Sequence, residues 1–418
     1  MITVSARPAA VLAAVLLSGA AAAAPATAAT YYVSASAGHD EATGARLQPW
    51  HSLKRAVPAL QPGDRLVVQA GLYREPLVVN VSGTAAQPIS IIGEGAPRIE
   101  ADGDAIVLSG NYLNLEGFEA HSYGWGSAIA PGKHNHHMRI AHNIARDSAC
   151  GGIAAVQTDY LTIEDNRVYG NARRAPWQCS GISIYQAEAS DAAPGFHNII
   201  RNNIVYDNMN VLVDNAVSHS DGKTTDGNGI ILDDFDHAQG GSTAPPYHAA
   251  TLVERNIVFD NGGRGVHVFR SSNVVVVNNV AYHNLKDPNL QRPVAELSAA
   301  FSRNVTLLNN IAVTRGADFA MMDSYAQGPD TWDFNLAMSA HPESLIQSKS
   351  HFGGHTITNQ DPQFVRPGTS FGAVNFHLKP TSPARHLGTP LRLGGPGLFA
   401  VLPGCAALGL ETDRGCRP

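Results

Sequence analysis

Short runs of alternating apolar and polar residues, each closed by Asn or Gly, recur through the middle of this chain. "YLTIED" (160–165) and "NVVVVN" (273–278) are two of them, and alternation of this kind marks strands with one buried face. After such runs comes a fixed phrase: Asn, two apolar or small residues, two variable residues, then Asn. It appears as "NRVYGN" (166–171), "NIVYDN" (203–208), "NIVFDN" (256–261) and "NVAYHN" (279–284), with "NIARDS" (143–148) as an earlier form. Variable loops then lead to a second type of strand that opens on Gly: "GIAAVQ" (152–157), "GISIYQ" (181–186), "GIILDD" (229–234) and "GVHVFR" (265–270). The intervals 143 to 166 and 256 to 279 are both 23 residues.

Strands repeating at a period in the low twenties, with no heptads, predict an all-β solenoid: a right-handed parallel β-helix in which each coil stacks on the last. A sandwich would show turn signals every ~8–12 residues, and a propeller a period near ~40. The Asn side chains are expected to pair from coil to coil, a structural task. Residues 31–75 read as an N-terminal cap, with a strand, a short amphipathic helix around 52–60, a "QPGD" turn and another strand, which would cover the open edge of the sheet. Residues 359–388 are expected to supply the closing coils. No linker divides the chain, so residues 30–418 are expected to form a single domain. Residues 1–29 carry Arg7, an apolar run and small residues, the layout of a cleaved signal peptide. The mature chain is therefore expected to be secreted or periplasmic. No later run reaches the ~20 apolar residues of a membrane helix.

Aligning the second strands on their Gly predicts columns, because parallel strands lie about 4.8 Å apart and alternate inward and outward. Ile153, Ile182, Ile230 and Val266 point inward, as do Ala155, Ile184, Leu232 and Val268. The outward columns are Ala154, Ser183, Ile231 and His267, then Val156, Tyr185, Asp233 and Phe269. Gln157, Gln186, Asp234 and Arg270 follow at the strand ends. Tyr185 thus gains Asp233 as a neighbour, with Phe269 and Arg270 one coil further on. The same phasing stacks Cys150 on Cys179 as a disulfide, and Cys405 with Cys416 would close a short C-terminal loop. The loop 210–228 carries Lys223 toward the polar strip.

Charge narrows the choice of partner. Without residues 1–29 the 29 Lys and Arg fall to 28 against 35 Asp and Glu, a net charge that disfavours nucleic acid and requires local bases to hold any acidic glycan. Hydrolysis of a glycosidic bond needs two carboxyl groups about 5 to 9.5 Å apart. Elimination from a uronic acid needs a group that neutralises the substrate carboxylate, a base for the C5 proton and an acid for the leaving O4. Tyr185 and Lys223 suit the second chemistry once their surroundings tune them. Arg270, His267, Arg264, Asn228, Gln186 and Asp233 are expected to contact an acidic polysaccharide.

"YYVSASAGHDEATGARLQPWHSLKRAV", "SGISIYQ", "KTTDGNGIILDD" and "NGGRGVHVFRSSNVVVVNNVAYHN" resemble the parallel β-helix polysaccharide lyases, most closely polysaccharide lyase family 31, over most of residues 31–310. The resemblance implies cleavage of alginate-type or related uronate polymers, with Tyr185 and Lys223 as the acid/base pair in unassigned order; the chain is expected to be a monomer. Asp233, Asp234 and Asp236 are candidate Ca2+ ligands or partners of Arg270, Arg264 or Lys223, and no cofactor is required. "HNHHMRIAHN" (134–143) lacks the spacing of a metal site and reads as a turn and strand edge. Tyr123 and Trp125 are candidate sugar-stacking residues. Three other functions fit the fold: a hydrolase of the polygalacturonase kind built on Asp233, Asp234 and Asp226, a non-catalytic carbohydrate-binding protein, and a uronan epimerase. The "GHG" and "RIK" signatures of the first and the "DPHE" signature of the last are absent.

Overall fold

The structure is a computed structural model that describes residues 27–211, 221–328, 330–341, 346–347, 353–389, 391–392 and 401–402. The predicted Cys405–Cys416 loop and most of the predicted signal lie outside them. Three long parallel sheets, of eleven, ten and eleven strands, run side by side along the molecule. Each coil contributes one strand to each, so that Asp159–Glu164, Arg167–Tyr169 and Ile182–Tyr185 belong to the first, third and second sheets in turn. This is the expected parallel β-helix, with the right-handed crossover that parallel strands adopt. Val168, Ile182, Ile184, Ile200, Val205, Ile230 and Leu232 fill its interior, all fully buried.

The turns show why the repeated phrase has its form. Its first Asn builds a buried ladder, in which the backbone N–H of Asn143, Asn166, Asn203, Asn256, Asn279 and Asn310 each donates to the side-chain oxygen of the ladder Asn one coil on, the last reaching Asn335. The second Asn builds another, Asn171–Asn208–Asn261–Asn284, which ends on the carboxylate of Glu296. Corner backbones that would otherwise lack partners in a dry interior are paired this way. The Gly that opens each second strand has the same cause. A Cβ on Gly152, Gly181, Gly229 or Gly265 would stand 2.7–3.0 Å from the amide nitrogen of the second ladder's Asn, so only a residue without a side chain fits.

At the N-terminus, helix Leu53–Ala56 is capped by Ser52, whose hydroxyl accepts from the Arg55 N–H at 3.2 Å, and continues as the 3-10 turn Val57–Ala59. It buries Leu53 and Ala56 against the first coils, as predicted for the cap.

The C-terminal region differs from the expectation. Residues 359–388 do not continue the coils: Phe364–Arg366 and Asn375–Leu378 form an antiparallel pair that lies on the outside of the third sheet. The reason is the sheet's outer face, where Tyr206, Ile257, Phe259, Val280, Ile311, Val313 and Leu336 would be an exposed apolar stripe. Phe364, Phe376 and Ala384 pack against it as one buried cluster, removing that area from water.

Candidate functional site

The outer face of the second sheet carries the polar columns. Register is continuous from Ile153–Val156 through Ile182–Tyr185 and Ile230–Asp233 to Val266–Phe269, and Tyr185 pairs with Val156 on one side and Asp233 on the other. Ile182–Tyr185 pairs directly with Ile230–Asp233, so no strand of this sheet stands between them. The disulfide Cys150–Cys179 spans the two coils on the N-terminal side, with Cα atoms 5.3 Å apart.

These columns open into a cleft of about 310 Å³. Tyr185, Asp233, Asp226, Ser183 and Ile231 line it, with Gln178, Trp177 and the disulfide at one end. The loop after Ile230–Asp233 folds back over the other end: the Tyr185 hydroxyl donates to the Gly240 carbonyl at 3.4 Å, and Gln239 Nε2 donates to Asp233 Oδ1 at 2.8 Å. Burial and the neighbouring carboxylates of Asp226 and Asp234 push the Asp233 carboxyl up to about 8, against the opposing pull of Gln239 and Arg270. Asp226 is raised to about 6 by burial, partly offset by Arg264 and by its bond from Asn228. Tyr185 is raised above its ordinary value by burial and by Asp233 and Asp234. At neutral pH the cleft therefore holds a protonated carboxyl and a protonated phenol side by side, two acids able to donate.

The other predicted residues surround this cleft without lining it. Asn228 is fully buried, accepting from the Arg264 backbone N–H at 2.9 Å and donating to Asp226 at 3.3 Å. Arg264 donates to the Thr225 carbonyl at 2.8 Å while its Nε is buried without a partner, and burial lowers it to about 10. His267, one coil beyond Ile231, bonds Ser298 through Nδ1 at 2.8 Å and is held neutral by burial and by Arg264. Arg270 stacks on Phe269 and Phe301.

The strand-end residues turn away from the strip. Gln186 and Asp234 have left-handed backbones, φ 50 and 56°, because each sits at a corner of the coil, and both are buried. Gln186 donates to Asp234 at 2.8 Å and to the Gly240 carbonyl, while Asp234 also accepts from the backbone N–H groups of Ala238 and Gln239. Asp236 accepts from Ser272 at 3.1 Å and faces Arg303 at 3.9 Å. The three aspartates of "DDFD" thus serve three separate places, and no group of three or more His, Cys, Asp or Glu suited to a metal occurs among the described residues.

Lys223 is exposed on the segment that reaches the Trp177 end of the cleft. Its carbonyl accepts from Gln178 Nε2 at 3.2 Å, and the Gln178 side-chain oxygen accepts from Thr225 N–H at 3.0 Å. Residues 212–220, which precede it in the predicted loop, lie outside the described residues. Trp177 and Gln178 were not singled out from the sequence, and Ser183 only as a member of an outward column. Trp177 stands two residues before a predicted disulfide cysteine, the one signal that pointed to it.

In "HNHHMRIAHN" the rings serve packing. His137 stacks between Tyr112 and Tyr160 at 4.6 and 4.2 Å, and His134 pairs with Glu188 at 2.7 Å.

Residues 48–125 match the Chondroitinase B family, a segment that covers the cap and first coils and stops short of the cleft. The chain is 23% identical over 268 residues to pectate lyase L of Thermoclostridium stercorarium, across 56% of this chain and 21% of that protein. It therefore spans about a fifth of the length of the curated relative it matches. Among solved structures, the complex of XylC with xylose superposes with a TM-score of 0.51 at 10% identity, covering 82% of this chain and 88% of the other. The alginate lyase of Paenibacillus sp. str. FPU-7 gives 0.48 at 15%, covering 79% and 99%. The likeness to XylC concerns the fold.

Proposed function

We propose that the chain is an exported polysaccharide lyase that cuts a uronic-acid polymer by β-elimination, alginate-type polymers being the first candidates from its resemblance to family 31. The observation that carries this reading is the convergence of Tyr185 and Asp233 on one cleft, each holding its proton at neutral pH. The matches to the Chondroitinase B family and to a pectate lyase support it.

In this reading protonated Asp233 donates to the substrate carboxylate, drawing charge from it and acidifying the C5–H, as a neutral acid in a dry site can. A base removes the C5 proton, the C5–H electrons form the C4–C5 double bond, and the C4–O4 bond breaks. O4 leaves with a proton from the acid. Tyr185, held protonated by burial and its acidic neighbours, suits the acid role and leaves Lys223 as the base. Arg264 and His267 lie one coil on, behind the cleft rather than in its lining.

A second reading rests on the same cleft. Asp233 and Asp226, both raised, are a pair of the kind that performs acid and base work in hydrolysis. Asp234, part of the set expected from the sequence, faces inward and has no place in it. Incubation of the purified protein with alginate, polygalacturonate and chondroitin-type polymers separates the two. Elimination yields an ultraviolet-absorbing unsaturated uronate at the new non-reducing end. Chain shortening without that absorbance would replace the lyase reading by hydrolysis.

A further inference from the structure

Beyond the disulfide the cleft does not end. Cys150 and Trp177 also line a second, wider depression of about 680 Å³, whose other walls are Asp102, Asp104, Trp125 and Ser127. Trp125 is 64% exposed and Trp177 38%, and their rings meet edge to face with centroids 5.5 Å apart. Exposed indoles beside a groove are costly to leave in water, and they are the side chains best suited to cover the apolar face of a pyranose.

Both rings are held by the backbone around them. A Cβ on Gly124 would stand 1.7 Å from the Asp102 carbonyl oxygen, and one on Gly126 2.2 Å from the Gly103 carbonyl carbon, so the strip carrying Trp125 is pressed onto the preceding coil. Trp177 lies two residues from Cys179, which the disulfide ties to Cys150. Ala175, between Trp177 and the ladder residue Asn171, is buried. The pair is thus a fixed platform. Trp125 belongs to the coil of Ile129–Pro131 and Asp233 lies three coils on, about 14 Å along the axis at the spacing of parallel strands, a few sugar units along one chain.

The charge of this platform is as informative as its rings. The walls hold two carboxylates, and among the described residues no Lys, Arg or His lines the depression. Asp104 is already fixed by the Ser127 N–H at 2.7 Å. A uronate placed here would bring a third negative charge into a concave site whose described lining holds no counter-charge, whereas a neutral sugar meets ring faces and acceptors for its hydroxyls.

We infer that Trp125 and Trp177 form a subsite for an uncharged pyranose, so that the chain the protein acts on is a heteroglycan with neutral sugars flanking the uronate. The inference rests on the reading of the adjoining cleft as the place where a glycan is cut. It turns the choice of substrate away from homopolymers such as polymannuronate.

Binding tests it separately from cutting. Chitotetraose, cellotetraose and tetragalacturonate are titrated into the full-length protein by calorimetry and tryptophan fluorescence, then into W125A, W177A and the conservative W125F and W177F variants. A neutral tetrasaccharide is expected to quench the fluorescence and to bind at least ~10-fold more weakly to either Ala variant, with Phe restoring part of the loss. Tetragalacturonate is expected to bind this platform more weakly than the neutral sugars and to gain affinity in D102N/D104N. Equal affinity of charged and neutral tetrasaccharides, or Ala variants that bind as the wild type does, would overturn the inference. A wild type that binds chitotetraose through its tryptophans yet makes no unsaturated product from any polymer would sink the lyase reading and leave the subsite standing.

Discussion

The second and third sheets share the same coils, in-register pairing and aliphatic interior, yet their outer faces have opposite fates. On the third sheet the outward residues of the repeated phrase, such as Ile257 with Phe259 and Ile311 with Val313, form an apolar stripe that the chain covers with its own hairpin. On the second, the outward columns carry Ser183, Tyr185, Asp233 and His267, and part of that face is left as a cleft. The comparison teaches that the scaffold imposes no function of its own: two outward positions per strand decide whether a face is packed or left open for chemistry. The first sheet shows a third solution, a surface ladder in which Arg139 bridges Glu116 and Glu164 and Arg201 bonds Glu164 at 2.6 Å.

The most damaging way to break the comparison is to remove what both faces share. Asn256 accepts from the Asn203 backbone and side chain at 3.0 Å and donates to Ile200 and Asn279 at 2.9 Å. Asn256→Ala would leave buried donors and acceptors unpaired, at about 3–5 kcal/mol. Chemical denaturation should show that loss, and activity should fall with the folded fraction.

The next largest effect should fall on one face alone. Phe376 packs on Phe259, Tyr282 and Phe364 with centroids 5.4, 5.2 and 5.1 Å apart. Phe376→Ala should cost about 3 kcal/mol while specific activity, measured well below the melting temperature, stays at the wild-type level. A selective loss of kcat in that variant would mean that the hairpin face takes part in catalysis.

The smallest effect sharpens the other face through pH. Because burial and its acidic neighbours raise the folded Asp233 carboxyl from its ordinary 3.8 to about 8, the folded state binds a proton that the unfolded state releases. The stability this proton provides is complete below about 4 and is lost as pH rises through about 8. Activity that uses the proton should decline over the alkaline part of that range. Asp233→Asn should lower activity by about tenfold at neutral pH and flatten the alkaline decline in both rate and melting temperature. An unchanged pH profile would take Asp233 out of the proton chemistry.

How much of this could be read beforehand follows from where periodicity reaches. The coil, its register and the columns through Tyr185 and Asp233 came from alternation and from Gly and Asn at fixed offsets, signals that backbone geometry imposes on every coil. The pattern was overridden at the corners. Gln186 and Asp234 are assigned to the polar strip because they are polar and follow Tyr185 and Asp233, yet they share the parity of inward Ile184 and Leu232, and at the left-handed corner both are buried in the wall. It was silent on Trp177, which lies in an inserted loop with no period. It also misplaced residues 359–388, because the outward residues of the repeated phrase look like core in one dimension and nothing in their spacing says that they need a cover.

The central claim is that the open face of the second sheet makes its chemistry through Tyr185. Initial rates of unsaturated-uronate release by the wild type and by Tyr185→Phe, with substrate affinity measured in parallel, test it most directly. The account predicts a rate lower by about 10²–10⁴-fold with binding nearly unchanged. Release of the same product by Tyr185→Phe at the wild-type rate would contradict it.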